Sequence, residues 1–234
     1  GDHRFVSMMQ WLETLHEWKL EPDTVRPASS DASFRRYFRV DGENRSFIVM
    51  DAPPEKENIE PFVRVATLFA QSGVSVPQVL AQNTREGFLL LSDLGTTTYL
   101  DKLDDTNAGV LYRDAIDALL RIQQTSRPHV LPEYDRATLK RELDLFPEWY
   151  IDKHMRFPMT PEKQAVLEKT FNILLANNLS QPQVFVHRDY HSRNLMHMSG
   201  EARNPGILDF QDALYGPLTY DLVSLLRDAY IEWE

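Results

Sequence analysis

The chain has 234 residues, which suits one large or two small domains with a sizeable buried core. Lys and Arg number 25 against 35 Asp and Glu, so the formal net charge is −10 at pH 7. A surface this acidic repels nucleic acid and anionic membranes and favours a small-molecule partner. The chain has no cysteine, which excludes disulfides, thiolate catalysis and cysteine-ligated zinc.

No stretch of the sequence approaches the ~20 apolar residues of a membrane span. No basic-then-apolar signal opens the sequence either. We therefore expect no membrane partner and a cytoplasmic location.

The N-terminal half alternates helix-like and strand-like patterns, bounded by turn residues. The predicted elements are a helix within 5–15, a hairpin of strands 32–40 and 45–51, a helix at 57–72 that ends at Gly73, and strands at 78–82 and 87–92. The order after the first helix is therefore strand, strand, helix, strand, strand.

The C-terminal half is mainly helical in its pattern. The predicted elements are helices through 107–178 with breaks at Pro128 and Pro158, two short buried strands at 184–186 and 207–208, and a helix from residue 222 onward. The polar residues that follow the two short strands stand where strands end and loops begin, so we expect them to converge.

These polar residues form the most informative pattern in the chain. His187, Arg188 and Asp189 follow the first short strand, Asn194 stands five residues after the aspartate, and Asp209 follows the second strand. An H-R-D-x-x-x-x-N segment followed by a strand-borne Asp-Phe is the layout with which kinases hold two metal ions against a nucleotide. The sequence therefore predicts ATP and Mg²⁺ as cofactors.

Phosphoryl transfer explains why these residue types are needed. A phosphoryl group leaving ATP spreads negative charge over its oxygens, so the site requires hard cations with oxygen ligands, which Asn194 and Asp209 can supply. Asp189 is the expected catalytic base, because a carboxylate there can orient the attacking hydroxyl and take its proton. A second interpretation is a metal hydrolase that uses His187, His191 and His197. Their spacings match no helical HExxH pair.

His191 stands two places after Asp189 and completes an H-x-D-x-H-x-x-N pattern. This loop resembles that of the aminoglycoside phosphotransferase and choline kinase family. Residues 217–222 resemble the Pro-x-x-x-Asp-Leu element of the same family, in which the aspartate, here Asp221, braces the catalytic loop. Helix physics alone offers another reading, in which Asp221 favours the positive end of a helix.

The resemblance implies an α+β, bilobal protein-kinase-like fold. Residues 1–93 are then a nucleotide-binding N-lobe built on an antiparallel sheet, and residues 94–234 are a mainly helical C-lobe that carries the catalytic loop and the metal site. His187, His191 and Asp221 are expected to support the loop. Because the family continues into further helices, we also expect that the C-lobe is incomplete and that the chain is a fragment.

Three longer stretches carry a closer resemblance, namely residues 29–40, residues 47–54 and residues 209–213. Together they look like the bacterial anomeric amino-sugar kinases, which act on N-acetylmuramate and N-acetylglucosamine in peptidoglycan recycling. This implies transfer of the γ-phosphate of ATP to a sugar hydroxyl, the anomeric one in particular. Two alternatives remain open, a phosphotransferase for aminoglycosides or choline and a nucleotide-binding pseudokinase.

The same resemblance places adenine on the backbone after the strand at 87–92. The serines and backbone amides of residues 28–33 are able to cover the phosphates, and the run Arg35, Arg36 and Arg39 offers the basic cluster that a polyanion requires. The expected nucleotide contacts are Ser30, Ser33, Arg36, Ser92, Asp93 and Leu94. The expected acceptor contacts are Gln211 and Asp212, which follow the metal aspartate, and Trp149. The Trp149 ring is able to stack on a sugar face, and the alternative is that it belongs to the core, where such aromatic pairs more often lie.

One feature departs from the kinase pattern. Kinases pair the ATP phosphates with a lysine on the third strand, but residues 47–51 contain none. Either a cation replaces it or the protein is a pseudokinase, and the candidates for replacement are Arg35, Arg36, Arg39 and Lys56. An active enzyme is favoured, because all three metal and base positions are intact.

Overall fold

The structure is a computed structural model that describes residues 1–30, 33–146, 160–200 and 203–231. The chain forms two compact units that interleave along the sequence. The first unit comprises Gly1–Arg121 and His191–Asp212, and the second comprises Ile122–Tyr190 and Ala213–Glu234. The lobe boundary expected at residue 93 stays a prediction.

The described helices and strands follow in chain order. They are α1 (His3–Glu13), β1 (Glu21–Ser30), β2 (Arg36–Gly42), β3 (Arg45–Asp51), α2 (Glu60–Gln71), β4 (Val79–Asn83), β5 (Phe88–Ser92), α3 (Tyr99–Lys102), α4 (Ala108–Gln124), α5 (Arg136–Phe146), α6 (Pro161–Ser180), β6 (Gln183–Val186), β7 (Leu195–Met196), β8 (Gly206–Ile207), β9 (Leu214–Pro217) and α7 (Tyr220–Ile231). Trp149 lies outside the described residues.

The first unit is built on a five-stranded antiparallel sheet in the order β1-β2-β3-β5-β4. The predicted hairpin is present as β2 and β3, whose register runs from Arg36 opposite Asp51 to Gly42 opposite Arg45. The connecting turn places Asn44 in a left-handed conformation, with φ of 64°, which asparagine tolerates better than most residues. The expected α+β fold with an antiparallel sheet is thus confirmed.

The edge strand β1 is the element that the sequence did not reveal. It is polar and contains Pro22 and Pro27, so it lacks the period-two apolar pattern of a strand. Proline cannot donate to a strand ladder and is tolerated at a sheet edge, which is where β1 lies. The strand predicted to begin at residue 32 accordingly begins later, at Arg36.

Helix α1 covers one face of this sheet. Its buried residues Met8 and Leu12 join a core cluster from the strands that includes Phe38, Val49 and Phe88. Burying side chains of this size stabilises a fold by roughly 1.5–3 kcal/mol each. The opening helix is therefore part of the sheet's core, as its helical spacing predicted.

The second unit is mainly helical around a two-stranded antiparallel pair, β6 and β9. The register runs from Gln183 opposite Pro217 to Val186 opposite Leu214. Tyr134, Leu139 and Leu175 form a buried cluster beside this pair. No helix in the described ranges is both long and apolar enough to cross a bilayer.

Gly87 is a position where the fold requires glycine. Its φ of +76° is left-handed, and a Cβ there would stand 1.9 Å from the backbone oxygen of Ala52. Because backbone cannot move aside cheaply, Gly87→Ala is expected to lower the free energy of unfolding by roughly 2–5 kcal/mol. Urea unfolding measures this.

Gly109→Ala is the matched control, because Gly109 lies in α4 and a Cβ there would meet nothing within 4 Å. The control should change stability by less than about 1 kcal/mol. Equal effects of the two substitutions would contradict the assignment of Gly87.

Candidate active site

A two-residue ladder brings Asn194 and Asp209 together in the first unit. β7 and β8 pair antiparallel, with Leu195 opposite Ile207, and the Leu208 amide donates to the Asn194 carbonyl at 2.9 Å. Asn194 directly precedes β7 and Asp209 closely follows β8, so both stand at the same end of the ladder. The Asn194 side-chain amide donates to an Asp209 carboxylate oxygen at 3.3 Å.

The backbone of Asp209 is held in a conformation that residues other than glycine adopt only occasionally. Its φ is 54°, in the left-handed region, which costs of the order of 1–3 kcal/mol. The next residue, Phe210, is fully buried and packs against Phe62 and Phe69, with ring centroids 4.9 and 6.0 Å away. This burial offsets the backbone cost and fixes the direction of the Asp209 carboxylate.

A cavity of about 430 Å³ lies in the first unit. Its lining includes Asn194 and Asp209, together with Ser92, Asp93 and Leu94, the segment that leaves β5. The residues that the sequence assigned to metal and to adenine therefore line one space. Its volume falls within the roughly 300–1,000 Å³ typical of small-molecule sites.

Asp93 anchors the segment after β5 through its side chain. Its carboxylate accepts hydrogen bonds from Arg39 at 2.6 and 3.0 Å, from the Ser46 hydroxyl at 2.7 Å and from the Gly95 amide at 2.9 Å. Burial raises the pKa of Asp93, but these hydrogen bonds and the Arg39 charge outweigh burial and leave the pKa below its ordinary value. The Asp93 side chain thus fixes the cavity wall.

Arg36, one expected phosphate ligand, is engaged elsewhere. Its guanidinium donates to the buried Asp51 at 2.9 and 2.5 Å, and also to Asp2. Arg4 donates to the same Asp51 carboxylate at 2.8 Å. Arg36 is not among the described residues that line the cavity, so its part in nucleotide binding stays a prediction.

Several of the residues expected to bind phosphate contact other side chains. Ser33 accepts from the Arg35 amide and guanidinium at 3.1 Å, and Lys56 stands 4.2 Å from the Phe34 ring centroid. Among described residues, the part of this segment that lines the cavity is Ala28 and Ser29, whereas Ser33 does not line it. Arg39 lines the cavity as well.

The catalytic loop begins in the second unit and is held there by Asp221. This carboxylate is buried and accepts from the backbone amides of His187 at 2.7 Å and Arg188 at 3.0 Å. Burial raises the pKa of Asp221 despite these two hydrogen bonds and the nearby His187. The His187 ring nitrogen Nδ1 in turn accepts from the Asp189 amide at 3.1 Å.

Arg188 is anchored by a residue that sequence reasoning missed. Its φ of 87° is left-handed, and its guanidinium donates to Glu142 of α5 at 2.7 Å. Glu142 also accepts from the hydroxyls of Tyr134 and Tyr220. Nothing in the sequence distinguishes Glu142 from other acids on a polar helix face, because its partners are distant along the chain.

The rest of the motif, from His191 onward to Asp212, belongs to the first unit. The His191 carbonyl accepts from the Asn194 amide at 2.9 Å, and Ser192 between them is fully buried. Gln211 donates to Asp209 at 2.7 Å, whereas Asp212 is exposed. Arg193 lines the cavity, and the sequence signal that could have identified it is its place directly before Asn194 in the motif.

The donor set suits a hard divalent cation. Asn194 and Asp209 offer oxygen ligands, and Mg²⁺ usually completes its shell with water and substrate phosphates. Within the described ranges no group of three or more His, Cys, Asp or Glu side chains could hold a metal. The metal-hydrolase interpretation therefore has no site in that part of the chain.

An antiparallel five-stranded sheet, a mainly helical second unit and the spacing of Asp189, Asn194 and Asp209 define a protein-kinase-like phosphotransferase. Residues 24–234 match the Phosphotransferase enzyme family, and the chain belongs to that family.

Two relatives and one solved structure extend this assignment. The N-acetylmuramate/N-acetylglucosamine kinase of Pseudomonas aeruginosa is 49% identical, and the match covers 99% of this chain and 70% of that protein. The protein of the same name from Pseudomonas putida is 51% identical with the same coverage. A thermostable mutant of the aminoglycoside phosphotransferase APH(4)-Ia, in complex with ADP and hygromycin B, matches with a TM-score of 0.62 and 16% identity over 93% of this chain and 75% of that chain. At that identity the likeness concerns the fold alone.

The lowered pKa of Asp93 gives its contribution to stability a pH dependence. The contribution is complete above the pKa of an unfolded Asp, about 3.9, and is lost as pH falls through the lower folded-state value. Asp93→Asn is therefore expected to cost roughly 2–4 kcal/mol of unfolding free energy near neutral pH, because Arg39 loses its charged partner. Below about pH 4 the difference from wild type should shrink.

Urea unfolding across this pH range measures the effect, with Asp23→Asn, at an exposed acid, as the control. A deficit of Asp93→Asn that stays constant down to the lowest pH would show that the ionised carboxylate is not what stabilises the segment.

Proposed function

We propose that the chain is an ATP-dependent kinase that transfers the γ-phosphate to the anomeric hydroxyl of N-acetylmuramate or N-acetylglucosamine. Such an activity belongs to peptidoglycan recycling and, because it consumes ATP, fits a cytoplasmic location. The observation that carries the proposal is that Asn194 and Asp209 line one cavity with Ser92, Asp93 and Leu94. Within it, Asn194 Nδ2 lies 3.3 Å from Asp209 Oδ2. Relatives that are about 50% identical and bear the name of this activity support the choice of sugar.

The cavity gives ATP a direction. We place adenine on the backbone of residues 92–94, where the Asp93 anchor keeps the strand end fixed. The phosphates then extend along the cavity toward Asn194 and Asp209, which also line it. These two side chains would hold Mg²⁺, which neutralises charge on the transferring phosphoryl group when it is bound.

Asp189 is the proposed base. Its carboxylate would accept a hydrogen bond from the sugar hydroxyl, orient that oxygen toward phosphorus and receive its proton. An anomeric hydroxyl is more acidic than an ordinary alcohol, so a carboxylate is a sufficient base. Asp221 and Glu142 hold the residues that precede Asp189, which keeps the loop backbone in a fixed conformation.

The test is turnover of ATP with Mg²⁺ against N-acetylmuramate, N-acetylglucosamine, an aminoglycoside and choline. We expect phosphorylation of the two amino sugars. Asp189→Asn should retain ATP affinity and lower kcat by roughly 10²–10⁴-fold, because proton acceptance is lost while the nucleotide contacts remain. Asp105→Asn, at an exposed acid, serves as the control.

Each alternative outcome has a distinct meaning. Turnover of the aminoglycoside or choline in preference to the amino sugars would replace the proposed acceptor. ATP binding without turnover of any acceptor would indicate a pseudokinase, and an Asp189→Asn variant as active as wild type would remove Asp189 as the base.

A further inference from the structure

Arg193 is a cation placed on the nucleotide cavity. It lies in the tight turn Ser192–Asn194, directly before the proposed metal ligand Asn194, and it lines the cavity. Its side chain is exposed, and no hydrogen bond, ion pair or ring contact joins it to another residue within the described ranges. An arginine that has no partner among the described residues and stands on the wall of this cavity is available to an anionic ligand.

The second cation of the lining is already neutralised. Arg39 donates twice to Asp93 and once to the Gly95 carbonyl, at 3.2 Å. Freeing it would leave the Asp93 carboxylate buried without its charged partner, which is costly. Arg39 is thus a wall residue rather than an anion ligand.

The third strand contributes no charge to the cavity. In the register of β2 and β3, Ile48 stands opposite Arg39, and Ile48 is the β3 residue that lines the cavity among those described. The charges of Arg39 and Asp93 cancel each other, so the charged residues left in this lining are Arg193 and the anionic Asp209. A polyphosphate would meet a net negative wall if Arg193 were absent.

The turn that carries Arg193 is rigid. Ser192 is fully buried, and the Asn194 amide and carbonyl are both hydrogen-bonded, to the His191 carbonyl and from the Leu208 amide, each at 2.9 Å. The backbone of Arg193 therefore has a fixed position beside the metal ligand. Its long side chain can still reach the phosphate part of a bound nucleotide.

We propose that Arg193 binds the terminal phosphates of ATP and takes the place of the lysine that β3 lacks. A guanidinium suits this role, because its planar donors match phosphate oxygens and its charge persists at all relevant pH values. The proposal deepens and rests on the proposed kinase function. It replaces Arg36 and Lys56 as candidates with a residue that lies on the cavity itself.

The experiment compares binding of MgATP and of adenosine to the purified chain by titration calorimetry, without any acceptor. Arg193→Gln should weaken MgATP binding by roughly 10–100-fold, as expected for the loss of a charged hydrogen-bond partner. Adenosine has no phosphate, so its affinity should stay within about twofold, which also verifies that the variant is folded. Arg193→Lys should restore part of the MgATP affinity.

Arg113→Gln is the matched control, because it removes the same charge from an exposed position on α4. Three results would overturn the proposal. These are an Arg193→Gln effect no larger than the control, an equal loss of MgATP and adenosine affinity, and unchanged MgATP affinity with a raised KM for N-acetylmuramate alone. The last would assign Arg193 to the carboxylate of that acceptor.

The binding experiment is independent of the acceptor. If the wild-type protein phosphorylates neither amino sugar while Arg193→Gln still weakens MgATP binding, the proposed acceptor is contradicted and the role of Arg193 is supported. If the wild-type protein phosphorylates an amino sugar but Arg193→Gln binds MgATP as wild type does, the acceptor stands and the role of Arg193 is contradicted.

Discussion

The candidate site of the first unit depends on a very short piece of β-structure. Two residue pairs between β7 and β8, extended by the hydrogen bond from the Leu208 amide to the Asn194 carbonyl, bring Asn194 and Asp209 together although fifteen positions separate them. The ladder is held in apolar surroundings, because the pair next to Asn194 and Asp209, Leu195 and Ile207, is fully buried. Without this pairing, nothing in the local sequence would bring the two oxygen-bearing side chains to the same cavity.

Unfavourable backbone conformations occur at both functional segments and are held by their surroundings. Asp209 and Arg188 each have a left-handed φ, and each is tied by a contact outside the local chain, through buried Phe210 in one case and through Glu142 in the other. Asp221 adds two hydrogen bonds to the loop backbone. Such conformations persist only where neighbouring contacts over-determine them, which is typical of sites that must present a side chain in one direction.

Local patterns were sufficient to predict much of the fold and little of the electrostatics. The β2–β3 hairpin, α2 and β5 follow from apolar periodicity and turn residues, and motif spacing singled out Asp209. Edge strand β1 was missed because its prolines resemble a loop. The pairing of Arg39 with Asp93 spans 54 positions, so no local pattern could reveal it. The hydrogen bond from Arg36 to Asp51 was equally hidden, and Arg36 was therefore predicted as a phosphate ligand. Charge partners are set by packing, and packing was not visible in the sequence.

The most direct test of the account is a crystal structure of the chain with Mn²⁺ and a non-hydrolysable ATP analogue, in which anomalous scattering locates the metal. The account predicts an ion within about 2.0–2.3 Å of oxygens from both Asn194 and Asp209, with adenine on the backbone of residues 92–94. A metal bound to neither side chain, or a nucleotide seated away from that segment, would contradict it.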